Sequence, residues 1–432
     1  MKLASVATPA RAALAPALAV ARHWLARADV RAALMATLAL RLGTSLFAAL
    51  LPLLQPALYP WRDPLRPDHF HLAHYPPDLP HPVYGILDYL TQPWNRWDTR
   101  WYLDIAQHGY IQYGSSAFLP LYPALIRGVG AVVGGNLLLA ALLISTAAAF
   151  AALLALYRLA ARLVPLAGSG AAAVLVAVST PLAFFLMSGY TEALFLACAL
   201  WAIVAALDGA WWRCAALGAL AALTRQQGLL LALLPLWSGM EALVGGQTGA
   251  GHWSRMRAVG AGRVAAAGAP PLAYALWLLA LRIFWRAPLP WEPLGAARGW
   301  GLRLSWPGSG VLADLAVFGR PGGAPLGVAL AAALDLGAIG VCAALLVLAA
   351  QRFPPALLLY LALSLVTSLM KVEPNGLTTS EARYMLALLP LAALPAGWLA
   401  RGSSRRRLVW VGACVPAQLA LLMAFVLNAW VP

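Results

Sequence analysis

The sequence predicts an all-α protein that crosses a bilayer many times. Three observations carry that expectation. Of 432 residues, 62% are apolar and only 10% charged, whereas a soluble domain carries about 25% charged residues. Residues 136–157 hold no charge, and 325–350 and 408–430 are nearly as apolar; a helix needs about 20 such residues to span a hydrocarbon core about 30 Å thick. The apolar runs are continuous rather than alternating, which favours helices over a barrel.

The net charge is +15, from 30 basic and 15 acidic residues. Short cytoplasmic loops collect Lys and Arg, so the basic clusters set the threading and no nucleic-acid partner is needed to explain them. Arg11, Arg22, Arg27 and Arg31 place the N-terminus inside, ahead of a first span over 34–54. The first outer loop is expected over 55–130, with 117–130, broken by prolines and Arg127, as a juxtamembrane or re-entrant piece. A span over 134–157 ends inside at Arg158 and Arg162, and spans over 170–188 and 192–207 form an outer hairpin that returns to Arg213. Two short segments, 214–224 and 226–244, meet at Thr224–Gly228 and end inside near Arg255, Arg257 and Arg263. A span over 264–286 leads to the second outer loop, 287–324. Spans over 325–350 and 355–370 flank Arg352, and a short outer loop holds Lys371 to Glu381. The last spans, 384–400 and 408–430, flank Arg401 and Arg405 to Arg407. The expectation is one transmembrane domain over 1–432 with about eleven spans. On this threading the acidic residues gather outside, so acid–base chemistry belongs at the outer face.

Other features argue for less. Cys198, Cys214, Cys342 and Cys414 stand singly in apolar stretches and read as buried side chains. No cleavable signal peptide is evident, so the first long helix is expected to insert as an anchor. His69, His71, His74 and His81 crowd a Pro-rich stretch with no organised carboxylate, and no metal site is assigned to them. Asp335 and Arg41, inside spans, read as polar contacts within the bundle.

The most informative stretch is Asn95–Tyr110, NRWDTRWYLDIAQHGY. Trp94, Trp97, Trp101 and Ile105 recur at spacings of three and four, as in an amphipathic helix. Trp and Tyr gather at membrane interfaces, which predicts a helix lying flat on the outer leaflet. Asp98 shares the aromatic flank of Trp101, Tyr102 and Ile105, where a carboxylate is suited to general-base use. Asp104 is six residues on, about 240° around the helix, and is expected to be exposed on the far side.

Five elements then carry a resemblance. Trp97-Asp98 through Ile105-Ala106 to Gly109-Tyr110 resembles the signature of the PIG-V mannosyltransferases, within the GT-C glycosyltransferases. Phe118 to Pro123 (FLPLYP) resembles the family's FFPLYP element, with Leu119 where Phe is frequent. Ser188 to Phe195 (SGYTEALF) resembles its Y-[ST]-E-[SA]-L-F element, and Thr224 to Gly228 (TRQQG) its T-R-x-x-G element. Arg383-Tyr384 with Pro390 resembles its late R-Y…P element. The five run in family order over most of the chain.

The resemblance implies a GT-C-type membrane fold and a glycosyltransferase. A mannosyl group would move from a polyprenyl or dolichyl phosphate donor to a lipid-linked or glycan acceptor at the non-cytoplasmic face, with inversion. No cofactor, nucleotide or metal is strictly required, because a lipid phosphate leaves readily once its charge is countered. Asp98 is the expected base. Arg225 and Arg383 are the expected phosphate ligands, since guanidinium matches phosphate oxygens bidentately. Glu192, Glu381, Trp97, Tyr102 and Tyr190 are expected substrate-binding or orienting residues. The Ala/Arg/Leu bias points to a bacterial plasma membrane; in a eukaryote the endoplasmic reticulum membrane would correspond. Three competing readings stand beside this one: a GT-C enzyme using another polyprenyl-linked sugar, a secondary transporter or flippase built on the broken segment 214–244, and a non-catalytic membrane subunit. The last predicts tolerance of Asp98→Ala.

Overall fold

The computed structural model describes residues 25–54, 86–244, 252–297, 299–320, 322–378, 380–427, 429 and 431. His69, His71, His74 and His81, expected in the first outer loop, lie outside the described residues. The described chain is helical, with one short ladder of two strands. In chain order the helices are α1 (Ala28–Leu54), α2 (Asp98–His108), α3 (Leu121–Val132), α4 (Leu137–Leu163), α5 (Ser169–Ser179), α6 (Glu192–Leu207) and α7 (Trp211–Ala222). A 3-10 stretch, Gln226–Ala232, leads into α8 (Leu233–Val244), then α9 (His252–Ala280), α10 (Ser309–Val317), α11 (Leu326–Ala349) and α12 (Pro355–Ser368). The rod Glu381–Ala400 ends in α13 (Ala393–Ala400), and α14 (Ser404–Val426) follows.

Among the described residues, seven helical stretches are long and apolar enough to cross a membrane. The protein is thus an all-α, polytopic membrane protein. The other expected spans, 170–188, 192–207, 214–224 and 355–370, correspond to the shorter helices α5, α6, α7 and α12. Two of the seven are central: 61% of the most apolar window of α4 and 78% of that of the rod are buried inside the protein, against 28% or less for the other five. The outer helices therefore turn most of their apolar surface away from the protein, as lipid-facing helices do. Helix α4 packs on α1, α3, α5 and α6. Arg41 of α1 is accommodated by polar contacts, its guanidinium donating to Thr146 Oγ1 (2.9 Å) and to the carbonyls of Leu142 and Met187.

Several boundaries differ from expectation for local reasons. The piece over 117–130 folds as the regular helix α3, with its prolines before and within the first turn, where no intrahelical N–H donor is lost. The run 170–188 stops at Ser179, because Thr180 precedes Pro181 and is held extended (φ −57°, ψ 147°). A 3-10 turn, Ala183–Leu186, carries the chain on to Glu192. Helix α2 starts at Asp98 rather than Asn95, because Trp97 takes φ 49°, ψ −122°. Such a backbone is rare and costly for a large side chain.

The stretch after α9 and the turn after α12 also meet. Strands β1 (Arg303–Leu304) and β2 (Lys371–Val372) pair antiparallel, with Leu304 opposite Lys371. Because successive helices alternate in direction, Asp98, Glu192, Arg225, Lys371 and Arg383 arrive at one end of the bundle. Arg158, Arg352 and Arg401 lie at the other.

Candidate active site

A cavity of about 170 Å³ opens among these converging segments, lined by residues of all five sequence elements. Asp98 enters it from the first turn of α2. Its backbone N–H, one of the donors a helix start leaves unpaired, is given to the Tyr190 hydroxyl (3.3 Å). Glu192 opens α6, where the helix N-terminus favours a negative charge. Arg225 sits in extended backbone between α7 and the 3-10 stretch, and Arg383 comes from the first turn of the rod.

These four form a chain of alternating charge. Arg383 Nη1 donates to Asp98 Oδ2 (2.7 Å), and Arg383 Nε lies 3.6 Å from Glu192 Oε1. The same Glu192 oxygen accepts from Arg225 Nη1 (2.6 Å). The Arg383 guanidinium also lies over the rings of Tyr190 (5.1 Å), Tyr384 (5.4 Å) and Phe185 (5.6 Å), contacts that stabilise a partly desolvated cation. Asp98 as the nearest partner of Arg383 is a finding of the fold. Asp98 lines the cavity, and among the described residues none is hydrogen-bonded to its Oδ1.

Tyr102 lines the cavity as well, its hydroxyl 3.3 Å from Thr191 Oγ1. Burial, and then the nearby Asp98 and Glu192 carboxylates, push its phenol well above the ordinary range, so it stays protonated. Trp97 and Glu381 are not among the lining residues. Trp97 is buried at the strained entry to α2, and Glu381 is wholly buried beneath the site. Among the described residues no three His, Cys, Asp or Glu side chains come together as a metal site.

The expectation for Asp104 needs correction. It is 3% exposed, with Oδ1 hydrogen-bonded to His108 Nδ1 (2.9 Å). It does point away from the cavity, but the far side of α2 is packed by protein rather than bathed in water.

Residues 40–241 match the sequence model of the mannosyltransferase (PIG-V) family. Over that stretch, just under half of the chain, the protein is similar to the PIG-V mannosyltransferases. It is therefore a glycosyltransferase. Comparison with curated proteins and with solved structures gives no match.

The PIG-V-like elements have physical reasons in this fold. Gly228 of TRQQG must be glycine: a Cβ there would fall 2.3 Å from the backbone of Ala221 and Ala222 in α7. Gly189 of SGYTEALF packs on Thr99, next to Asp98, where a Cβ would meet a methyl at 2.6 Å. Tyr122 of FLPLYP is fully buried, its hydroxyl shared with Ser145 Oγ (2.8 Å) and the Ala141 carbonyl (3.0 Å). Leu121 N–H donates to the Leu223 carbonyl (3.0 Å), tying this element to the turn that carries Arg225.

One lining residue of this PIG-V-like site was missed by sequence reasoning. Lys371, on β2, donates from Nζ to Gln226 Oε1 (3.3 Å). Burial, and then the neighbouring Arg225 charge, push its ammonium below the usual lysine range, opposed by Glu381. Asp98 and Glu192 are matched by Arg383 and Arg225, so Lys371 leaves the cavity with one surplus positive charge. The adjacent TRQQG turn was visible in the sequence, but the ladder that delivers Lys371 to it was not.

Proposed function

We propose that the protein transfers mannose from a polyprenyl or dolichyl phosphate donor to a lipid-linked or glycan acceptor hydroxyl, at the non-cytoplasmic membrane face and with inversion. The observation that carries this reading is the cavity's division of charge. On one side stands a carboxylate with one oxygen held by Arg383 and the other open. On the other stand two neighbouring cations, Arg225 and Lys371, that repel each other until an anion lies between them. A sugar phosphate matches that pair, with its anomeric carbon toward Asp98.

In this reading Asp98 Oδ1 takes the proton of the acceptor hydroxyl as its oxygen attacks the anomeric carbon. The bond to the lipid phosphate breaks, and the leaving monoester is stabilised by Arg225 and Lys371. Arg383, the second phosphate ligand expected from sequence, instead orients Asp98, being enclosed between Asp98 and Glu192. Glu192 joins the two arginines, and Tyr102 and Tyr190 form the wall against which the sugar rests. The uneven charge of the two bundle ends supports an outward-facing cavity, because cytoplasmic loops tend to be basic.

Incubating purified protein with polyprenyl-phosphate mannose and a membrane lipid extract tests the reading. Mannosylated product of anomeric configuration opposite to the donor is expected. A product of retained configuration would contradict the single displacement, and transfer only from another polyprenyl-linked sugar would change the donor.

A further inference from the structure

A second and larger cavity, about 520 Å³, lies at the opposite end of the bundle. It is a groove between the α4–α5 turn, the last turns of α11 and the end of α13. Its walls are apolar, with Leu345 and Leu348 on α11 facing Leu394 and Trp398 on the rod. Its mouth holds Arg352 and Arg401, and no carboxylate lines it. Both arginines are exposed, and neither forms an ion pair with a described residue. Other arginines of this end are compensated: Arg158 pairs with Asp29 (3.0 Å) and Arg162 with Asp208 (2.7 Å). A third cation approaches from α14, where Arg406 lies over the Trp398 ring (4.6 Å) and donates to the Trp398 carbonyl (2.9 Å).

Arg352 and Arg401 each follow a helix C-terminus, whose partial negative charge favours a cation. That accounts for their positions but not for the cavity between them. The volume falls in the range of ligand pockets. Only 17% of the apolar window of α11 is buried inside the protein, so the leucine wall runs on into the lipid-facing surface. A ligand entering along α11 therefore comes from the bilayer and brings an apolar chain. At the mouth it meets uncompensated guanidinium groups, which bind phosphate oxygens bidentately.

We propose that this groove binds an anionic phospholipid, its acyl chain along Leu345, Leu348 and Leu394 and its phosphate between Arg352 and Arg401. Basic pockets between membrane helices at the cytoplasmic side suit such headgroups. The site is separate from the Asp98 cavity and does not rest on the mannosyl-transfer reading.

Native mass spectrometry on protein equilibrated with mixed phosphatidylglycerol and phosphatidylcholine micelles tests it. The wild-type protein should retain phosphatidylglycerol preferentially, and R352A/R401A should lose about thirtyfold of that preference, at roughly 1 kcal/mol per basic residue at the surface. R405A/R407A, which removes equal charge outside the groove, should keep it. Leu348→Gln, at a side chain 55% exposed, should weaken retention while leaving both arginines in place. Equal loss in R405A/R407A would mean a diffuse basic surface and overturn the site. So would unchanged retention in R352A/R401A or in Leu348→Gln. Displacement of the lipid by inorganic phosphate alone would assign the arginines to a small anion and overturn the lipid.

Discussion

At the scale of single residues, the site is a chain of opposite charges with one cation over. Asp98, Arg383, Glu192 and Arg225 alternate through contacts of 2.7, 3.6 and 2.6 Å, and Lys371 stands beyond them with a neutral partner. If Lys371 holds the donor phosphate, its depressed pKa has a kinetic sign. The ammonium is charged below that pKa and binds the anion; as pH rises through it, charge and donor affinity are lost together. The kcat/KM for donor should then fall at a pH below the ordinary lysine value of about 10.4, and Lys371→Arg, charged throughout, should remove the fall. Identical alkaline limbs in both proteins would exclude Lys371 from phosphate binding. Six residues lining the cavity were legible in the sequence: Asp98, Tyr102, Tyr190, Glu192, Arg225 and Arg383 stand inside recognisable elements. Lys371 was not, because it enters through a ladder of two residues on each strand, with no periodicity of its own. Asp104 was misread because helix geometry gives the direction of a side chain but not what packs there.

At the scale of elements, the segment from β2 to the rod depends on Thr378. Its hydroxyl lies 2.5 Å from Asp314 Oδ2 on α10 and 2.8 Å from Asp335 Oδ2 on α11. A hydroxyl has one proton to donate, so the two carboxyls either share it or one of them carries a proton of its own. Burial pushes the Asp314 carboxyl up, against the hydrogen bonds from Thr378. The second oxygens accept from the backbone N–H of Thr378 (3.2 Å) and Ala382 (2.6 Å), which pins the turn on either side of Ser380. Asp335 is thus a polar contact within the bundle, as its place in the sequence suggested. Thr378→Val leaves both carboxyls short of a partner and should lower stability by about 1–3 kcal/mol. It should also raise the donor KM more than it lowers kcat, because Lys371 and Arg383 flank this segment, and Thr378→Ser should restore both. A melting temperature and KM unchanged in Thr378→Val would show that the segment is held elsewhere. No local pattern marks this bridge, since its three members are scattered over 314–378.

At the scale of the whole molecule, alternating helix direction gathers the five sequence elements at one end and the arginine-rich turns at the other. The apolar runs made the long helices legible, whereas α5 and α12 end before the spans first drawn through them, and α6 and α7 are shorter than a full bilayer crossing. The central position of α4 and the rod was not legible, because burial among helices and exposure to lipid select the same apolar residues. The orientation proposed here is open to labelling in a cysteine-free background. Leu312→Cys on α10 should react with an impermeant thiol reagent in intact cells, and Ser404→Cys should react only after lysis; the reverse would invert the topology. The central claim is that mannosyl transfer depends on the Asp98 carboxylate. Transfer rates of Asp98→Asn and Asp104→Asn, measured in the same preparation with polyprenyl-phosphate mannose and with folding checked by thermal melting, test it most directly. Asp98→Asn should lose about 10²–10⁴-fold in rate while folded, and Asp104→Asn should keep its rate and lose stability through its contact with His108. A folded, active Asp98→Asn protein would contradict the account.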